Sequence, residues 1–107
     1  MTPYAVVLVT AGTADEAGRI ARVLVEERLA ACANIVPHIR SLFHWEGKLC
    51  DAAESLIVFK ARAADVEAIV TRVRALHAYT VPEVIALPIL EGSPSYLAWV
   101  EESTKRS

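Results

Sequence analysis

The chain has 107 residues, 54% of them hydrophobic, with a mean hydropathy of +0.36, a formal net charge of -2 and a pI near 5.9. This length fits one domain over residues 1–107. No block of Lys or Arg stands out, which argues against a nucleic-acid partner and against a basic membrane-surface helix. A domain this small buries only about 60–68% of its unfolded surface, so the apolar surplus calls for cover by another subunit.

Tyr4 to Thr10 reads as a buried strand from its length and β-branching. Its apolar run is too short to span a bilayer, and no charged region precedes it as in a signal peptide. Ala11-Gly12 breaks the strand. Thr13-Ala14-Asp15-Glu16 fits a capping box, with Thr13 accepting the Glu16 N–H and Glu16 reaching back to the Thr13 N–H. A helix then runs to about Arg28, with Ala17, Ile20, Ala21 and Leu24 on one face.

Leu29 to Cys32 links into a long extended run, Ala33 to Trp45. Strands are usually about 3–10 residues, so this one is expected to project beyond its own domain, with Pro37 marking a bend or bulge. Ile35, Pro37, Ile39, Ser41, Phe43 and Trp45 fall on one face by alternation. Gly47 supplies a positive φ for the turn at Glu46-Gly47-Lys48, and Glu54 to Lys60 is the returning strand. A second helix is predicted over about Ala64 to Leu76, with a weak N-cap because Ala63 and Ala64 offer no side-chain acceptor.

His77 to Ile89 is the densest polar stretch. His77 and Tyr79 fall in an elbow, Pro82 fixes φ, and a core strand follows from Val84 to about Glu91. The elbow has a plain structural explanation, in which His77 ends the helix and Tyr79 packs. Gly92-Ser93-Pro94 breaks the chain again. Ser95 to Ser103 reads as a terminal helix, and Thr104 to Ser107 as a frayed tail. The order β-α-β-β-α-β predicts an α+β, ferredoxin-like βαββαβ sandwich with an extra C-terminal helix. That fold alone does not fix an activity.

Several stretches resemble the CutA family, the divalent-cation tolerance proteins. They are Arg28 to Pro37, Ser41-Leu42-Phe43-His44-Trp45-Glu46-Gly47-Lys48, Glu54 to Lys60, the elbow His77 to Ile89, and Tyr96-Leu97-Ala98-Trp99. The resemblance covers nearly the whole chain in order. It implies a homotrimer like those of PII signalling proteins, a cytoplasmic location, and tolerance of copper and other divalent ions. It implies no catalytic reaction and no organic cofactor. The chain departs from the family pattern at Phe43, Ala61, Ala78 and Thr80, where tyrosine, threonine, proline and an acidic or amide residue are frequent.

The resemblance also implies a metal site. Cys32 and His77 match family positions discussed as copper ligands, and a thiolate with an imidazole suits Cu or Zn. Two ligands make an incomplete shell, and Cys32 has the alternative of a small buried hydrophobe. His38 and His44 lie about 20 Å apart along an extended strand and cannot chelate one ion. Neither Cys32 nor Cys50 sits in a CxxC motif, so reduced thiols are expected. A second possibility is a small-metabolite pocket walled by Trp45, Lys60, Tyr79 and Glu83, as in a PII-like signalling or scaffold trimer. Its alternative is an interfacial packing cluster with a Lys–Glu pair. No nucleophile, base and orienter share a motif, so an enzyme is not expected. The elbow and the entry to the long strand are expected at one end of the sheet, bringing Cys32, His77 and Glu83 into a cleft between subunits.

Overall fold

The computed structural model describes residues 1–106. The elements are β1 (Tyr4–Ala11), α1 (Ala14–Glu26), β2 (Cys32–Trp45), β3 (Lys48–Arg62), a 3-10 turn (Ala63–Asp65), α2 (Val66–Leu76), β4 (Val84–Pro88) and α3 (Pro94–Ser103). The strands form one antiparallel sheet in the order β2-β3-β1-β4. This is the expected ferredoxin-like sandwich with α3 added.

Alternation along β1 makes the core. Ala5, Val7, Val9 and Ala11 are buried, while the residues between them are only half-buried. Through the pairs Val7↔Phe59 and Val9↔Ile57 the buried face continues onto β3. The apolar stripe of α1, with Ile20 and Leu24, and that of α2, with Ile69 and Val73, close over it. These strand and helix side chains are fully buried. Truncating a ring such as Phe59 to Ala should cost about 3–5 kcal/mol.

Helix α1 begins as the capping pattern predicts, with the Glu16 N–H donating to Thr13 Oγ1 at 3.1 Å. The reciprocal bond differs by one residue: the Gly12 N–H, not that of Thr13, donates to Glu16 Oε1 at 3.3 Å. Helix α2 lacks a side-chain cap, as its sequence suggests, and is entered through the 3-10 turn instead.

The hairpin is longer than its apolar pattern indicates. β3 starts at Lys48 rather than Glu54, and its pairing with β2 runs out to Trp45↔Lys48. β1 pairs with β3 only from Ser55 to Arg62, so Ile39–Trp45 and Lys48–Glu54 form an arm beyond the four-stranded sheet. The arm stretches the molecule to 44 × 26 × 22 Å. At its tip Glu46 (φ 52) and Gly47 (φ 76) make a two-residue turn with both φ values positive, the arrangement that matches strand twist. A β-bulge lies at the root of the arm. Val36 pairs with Leu56 and Ile39 with Glu54, so Pro37 and His38 together face the single residue Ser55. The bulge interrupts the simple alternation expected for this strand, so Ile35 and Ile39 do not share a face.

β4 ends at Pro88 rather than near Glu91. The tail is not frayed over its described part. Thr104 is fully buried and its hydroxyl donates to Val100 O at 2.8 Å. Arg106 grips Asp65 at 2.8 and 3.2 Å and donates to Arg28 O at 2.7 Å. Ser107 lies outside the described residues.

Candidate functional site

The elbow after α2 is pinned by two buried carboxylates. Glu16 accepts the Gly12 N–H through Oε1 and the Ala78 N–H through Oε2, at 2.7 Å for the latter. Glu54 sits one residue past the last β1–β3 pair, where β3 leaves the core, and is also buried. The Tyr79 hydroxyl donates to Glu54 Oε2 at 2.8 Å. Burial first, then this hydrogen bond to a carboxylate, pushes the Tyr79 hydroxyl up to about 12. Gly12 makes room for it, since a Cβ there would lie 3.0 Å from the Tyr79 oxygen.

His77 belongs to this scaffold. Its Nε2 lies 2.7 Å from Thr10 O, and the Tyr79 N–H donates to its Nδ1 at 3.0 Å. A carbonyl can only accept, so Nε2 carries the proton and Nδ1 uses its lone pair on the Tyr79 amide. The ring is neutral in this arrangement, 3.5 Å from Glu16 Oε2 and stacked at a tilt on Tyr79 with 4.7 Å between centroids. Neither ring nitrogen is open to a metal ion while these bonds hold.

Cys32 lies elsewhere. It pairs with Lys60, and Lys60 with Val6, on the sheet face turned away from α1 and α2. α3 covers part of that face, and Tyr96 brings its hydroxyl 3.6 Å from Cys32 Sγ. That hydrogen bond, ahead of burial, pushes Tyr96 up to about 12. Lys60 donates from Nζ to Asn34 Oδ1.

One expectation is corrected here: the elbow and the entry to β2 do not share an end of the sheet. Cys32 and His77 do not meet within one chain. β4 runs antiparallel to β1, so the elbow lies at the Ala11 end of β1, whereas β2 begins near its other end. From the Val6 row to Thr10 is about 13 Å. Within one chain the four pocket candidates stand apart. Trp45 stands at the arm tip, 46% exposed, Lys60 lies on the open face, and Tyr79 faces Glu54. Glu83 is exposed just ahead of β4 and forms no pair with Lys60 among the described residues. Among the described residues, no three His, Cys, Asp or Glu side chains converge to hold a metal ion.

Residues 5–103 match the profile of the CutA1 divalent ion tolerance protein family. The chain belongs to the CutA1 family. The divalent-cation tolerance protein CutA of Thermus thermophilus is 48% identical over 92% of this chain and 96% of its own length. A solved structure of that bacterium's Cut A1 protein superposes with a TM-score of 0.92 at 46% identity, covering 95% of this chain and 99% of the other. The rice protein named CutA 1, chloroplastic, is 46% identical over 98% of this chain, which spans 59% of that relative's length.

Within this CutA1 chain, sequence reasoning missed Glu16 and Glu54 as members of the elbow. Glu16 is legible only as half of a capping box, and its bond to Ala78 spans 62 positions that no local pattern relates. Glu54 carries one usable signal, a carboxylate two residues ahead of the apolar run Leu56 to Phe59.

Proposed function

We propose that this CutA1 chain acts as a homotrimeric, non-catalytic divalent-cation tolerance protein of the cytoplasm, binding ions of the copper and zinc type. The observation that carries the reading is the apolar surface left open by a single chain. Leu42, Phe43, Trp45 and Leu49 stand out on the arm, and Ile85, Leu87 and Leu90 on and after the edge strand β4. Side chains of this size leave water only against another surface. An arm of paired strands and an unprotected edge strand complement one another by strand addition. Three copies arranged head to tail would satisfy every arm and every edge. The ion class follows from the family description and from Cys32, a free thiol of intermediate exposure on the open face. A thiolate favours copper and zinc over magnesium or calcium.

Light scattering tests the assembly, with three times the 11.6 kDa chain mass as the expected result. Calorimetric titration with Cu(II) and Zn(II), on the wild type and on Cys32→Ser, tests the ion class. Loss of copper affinity in the variant is expected. A monomer, or a trimer that takes up neither ion, would remove the reading.

A further inference from the structure

Helix α3 is anchored at one end. Its start has no side-chain cap among the described residues, and the Ser93 and Ser95 hydroxyls meet each other at 3.1 Å instead. Its first turn, Pro94 to Leu97, carries no acidic residue to favour the helix dipole. Ahead of it the chain is last fixed to the sheet at Ile89, whose N–H donates to Tyr4 O at 3.0 Å and whose carbonyl accepts from Thr2. From Leu90 to Tyr96 every residue is exposed. The anchors all follow. Among the described residues of α3, Val100 is the one that is buried. Glu101 accepts the Tyr4 hydroxyl at 3.1 Å and faces Arg62 at 3.6 Å. Ser103 O accepts from Arg28 at 3.2 Å, Thr104 is fully buried, and Arg106 grips Asp65.

The loose end carries the side chain that covers Cys32. Tyr96 sets its hydroxyl 3.6 Å from Cys32 Sγ, and Lys60, across the strand pair from Cys32, turns its amine to Asn34 instead. The rest of this half leans on itself. The Tyr96 ring tilts against Trp99 with 5.5 Å between centroids, and both residues are nearly half exposed. Leu97 folds back on Gly92, where a Cβ would lie 3.3 Å from its methyl. Among the described residues, the contact to sulfur is the hydrogen bond that ties the side chains of residues 90–99 to the sheet. Thiols are weak hydrogen-bonding groups. A segment with so little buried apolar area and so exposed a backbone opens at the low end of a protein's stability range.

We propose that the first half of α3, residues 94–99, is a lid over the Cys32 thiol, with Tyr96 as its gating residue, and that it opens by unravelling back to Val100. When the lid is closed, the Tyr96 hydroxyl holds Sγ and the ring shields it. The phenol keeps its proton up to about 12, so at neutral pH it serves as the donor to a thiolate. When the lid is open, Sγ is free to meet a soft cation or an electrophile. The core lies on the other face of the sheet, so opening leaves it intact. The lid controls access to the thiol of the proposed ion site and rests on that reading only for the identity of the incoming ion.

The test is the rate of alkylation by iodoacetamide in a Cys50→Ser background, where Cys32 is the one thiol of the chain, read beside amide hydrogen exchange. Tyr96→Ala should raise the rate about tenfold or more while the cooperative thermal transition persists. Tyr96→Phe, which keeps the ring and loses the hydroxyl, should raise it less. With Tyr96 in place, the amides of Ala98 and Trp99 should exchange about tenfold faster than those of Glu102 and Ser103. If Tyr96→Ala fails to fold, this exchange difference decides alone. An unchanged alkylation rate in a folded Tyr96→Ala protein, or uniform protection along α3, would overturn the lid. A lid that passes both readouts in a protein binding neither copper nor zinc would stand while the proposed function falls. A protein that binds copper through Cys32 yet shows uniform protection along α3 would reverse that outcome.

Discussion

Tyr79→Phe deletes one oxygen and leaves the ring in place. The lost group is the donor to Glu54 Oε2 at 2.8 Å. A hydrogen bond to a charged partner contributes about 1.5–3 kcal/mol. The titration of the phenol gives a second measure. Its pKa moves from 10.0 to about 12, burial first and the bond to Glu54 second, so about 2.7 kcal/mol is an upper bound on the bond even if the group were fully enclosed. Tyr79 is 40% exposed, so solvent screening reduces this to about 1 kcal/mol. The two measures meet near 1–1.5 kcal/mol, the loss expected for Tyr79→Phe at pH 8. The folded-state pKa lies above that of a free phenol, so the stabilisation is present in full below pH 10. It disappears as the pH rises through about 12. Urea denaturation at fixed protein concentration from pH 8 to 11 measures both effects. The variant should start lower and lose less than the wild type on the alkaline side. Equal stability at pH 8, or parallel alkaline losses in the two proteins, would refute the reasoning.

The other predictions concern neighbouring contacts. Gly12→Ala places a Cβ 3.0 Å from the Tyr79 oxygen, so about 1 kcal/mol should be lost, and less in a Tyr79→Phe background; additive losses in a denaturation cycle would show that the two do not share a contact. Arg106→Ala breaks the grip on Asp65 and Arg28 O, and because the arginine is 36% exposed the loss should be about 1 kcal/mol by thermal denaturation, with no loss if the tail merely lies on the surface. Trp45→Ala should weaken assembly by about 3–5 kcal/mol when read as dissociation on dilution, because the ring is half open in one chain and would be buried by a neighbour in the proposed trimer. A change below about 0.5 kcal/mol would place it on the free surface of the assembly.

Much of the fold is legible because local chemistry agrees with it. Thr13 and Glu16 announce α1, the period-two run after Cys32 announces β2, and Gly47 announces the turn. The arm's returning strand is not legible from Lys48 to Ala53, where only Leu49 and Cys50 are apolar beyond alanine and β-branched residues are absent. Pairing with β2 supplies what propensity does not. The site is less legible. His77 has the residue type of a metal ligand, and only the fold shows both ring nitrogens committed to backbone groups. The placement of Cys32 depends on strand direction: β4 descends where β2 ascends, and that follows from sheet order rather than from either junction's own sequence.

Native mass spectrometry after exposure to copper or zinc tests the proposed function most directly, because it weighs the assembly and its ions together. The predicted species is three chains of 11.6 kDa carrying bound metal in multiples of three. A single chain, or a metal-free trimer under the same conditions, would contradict it.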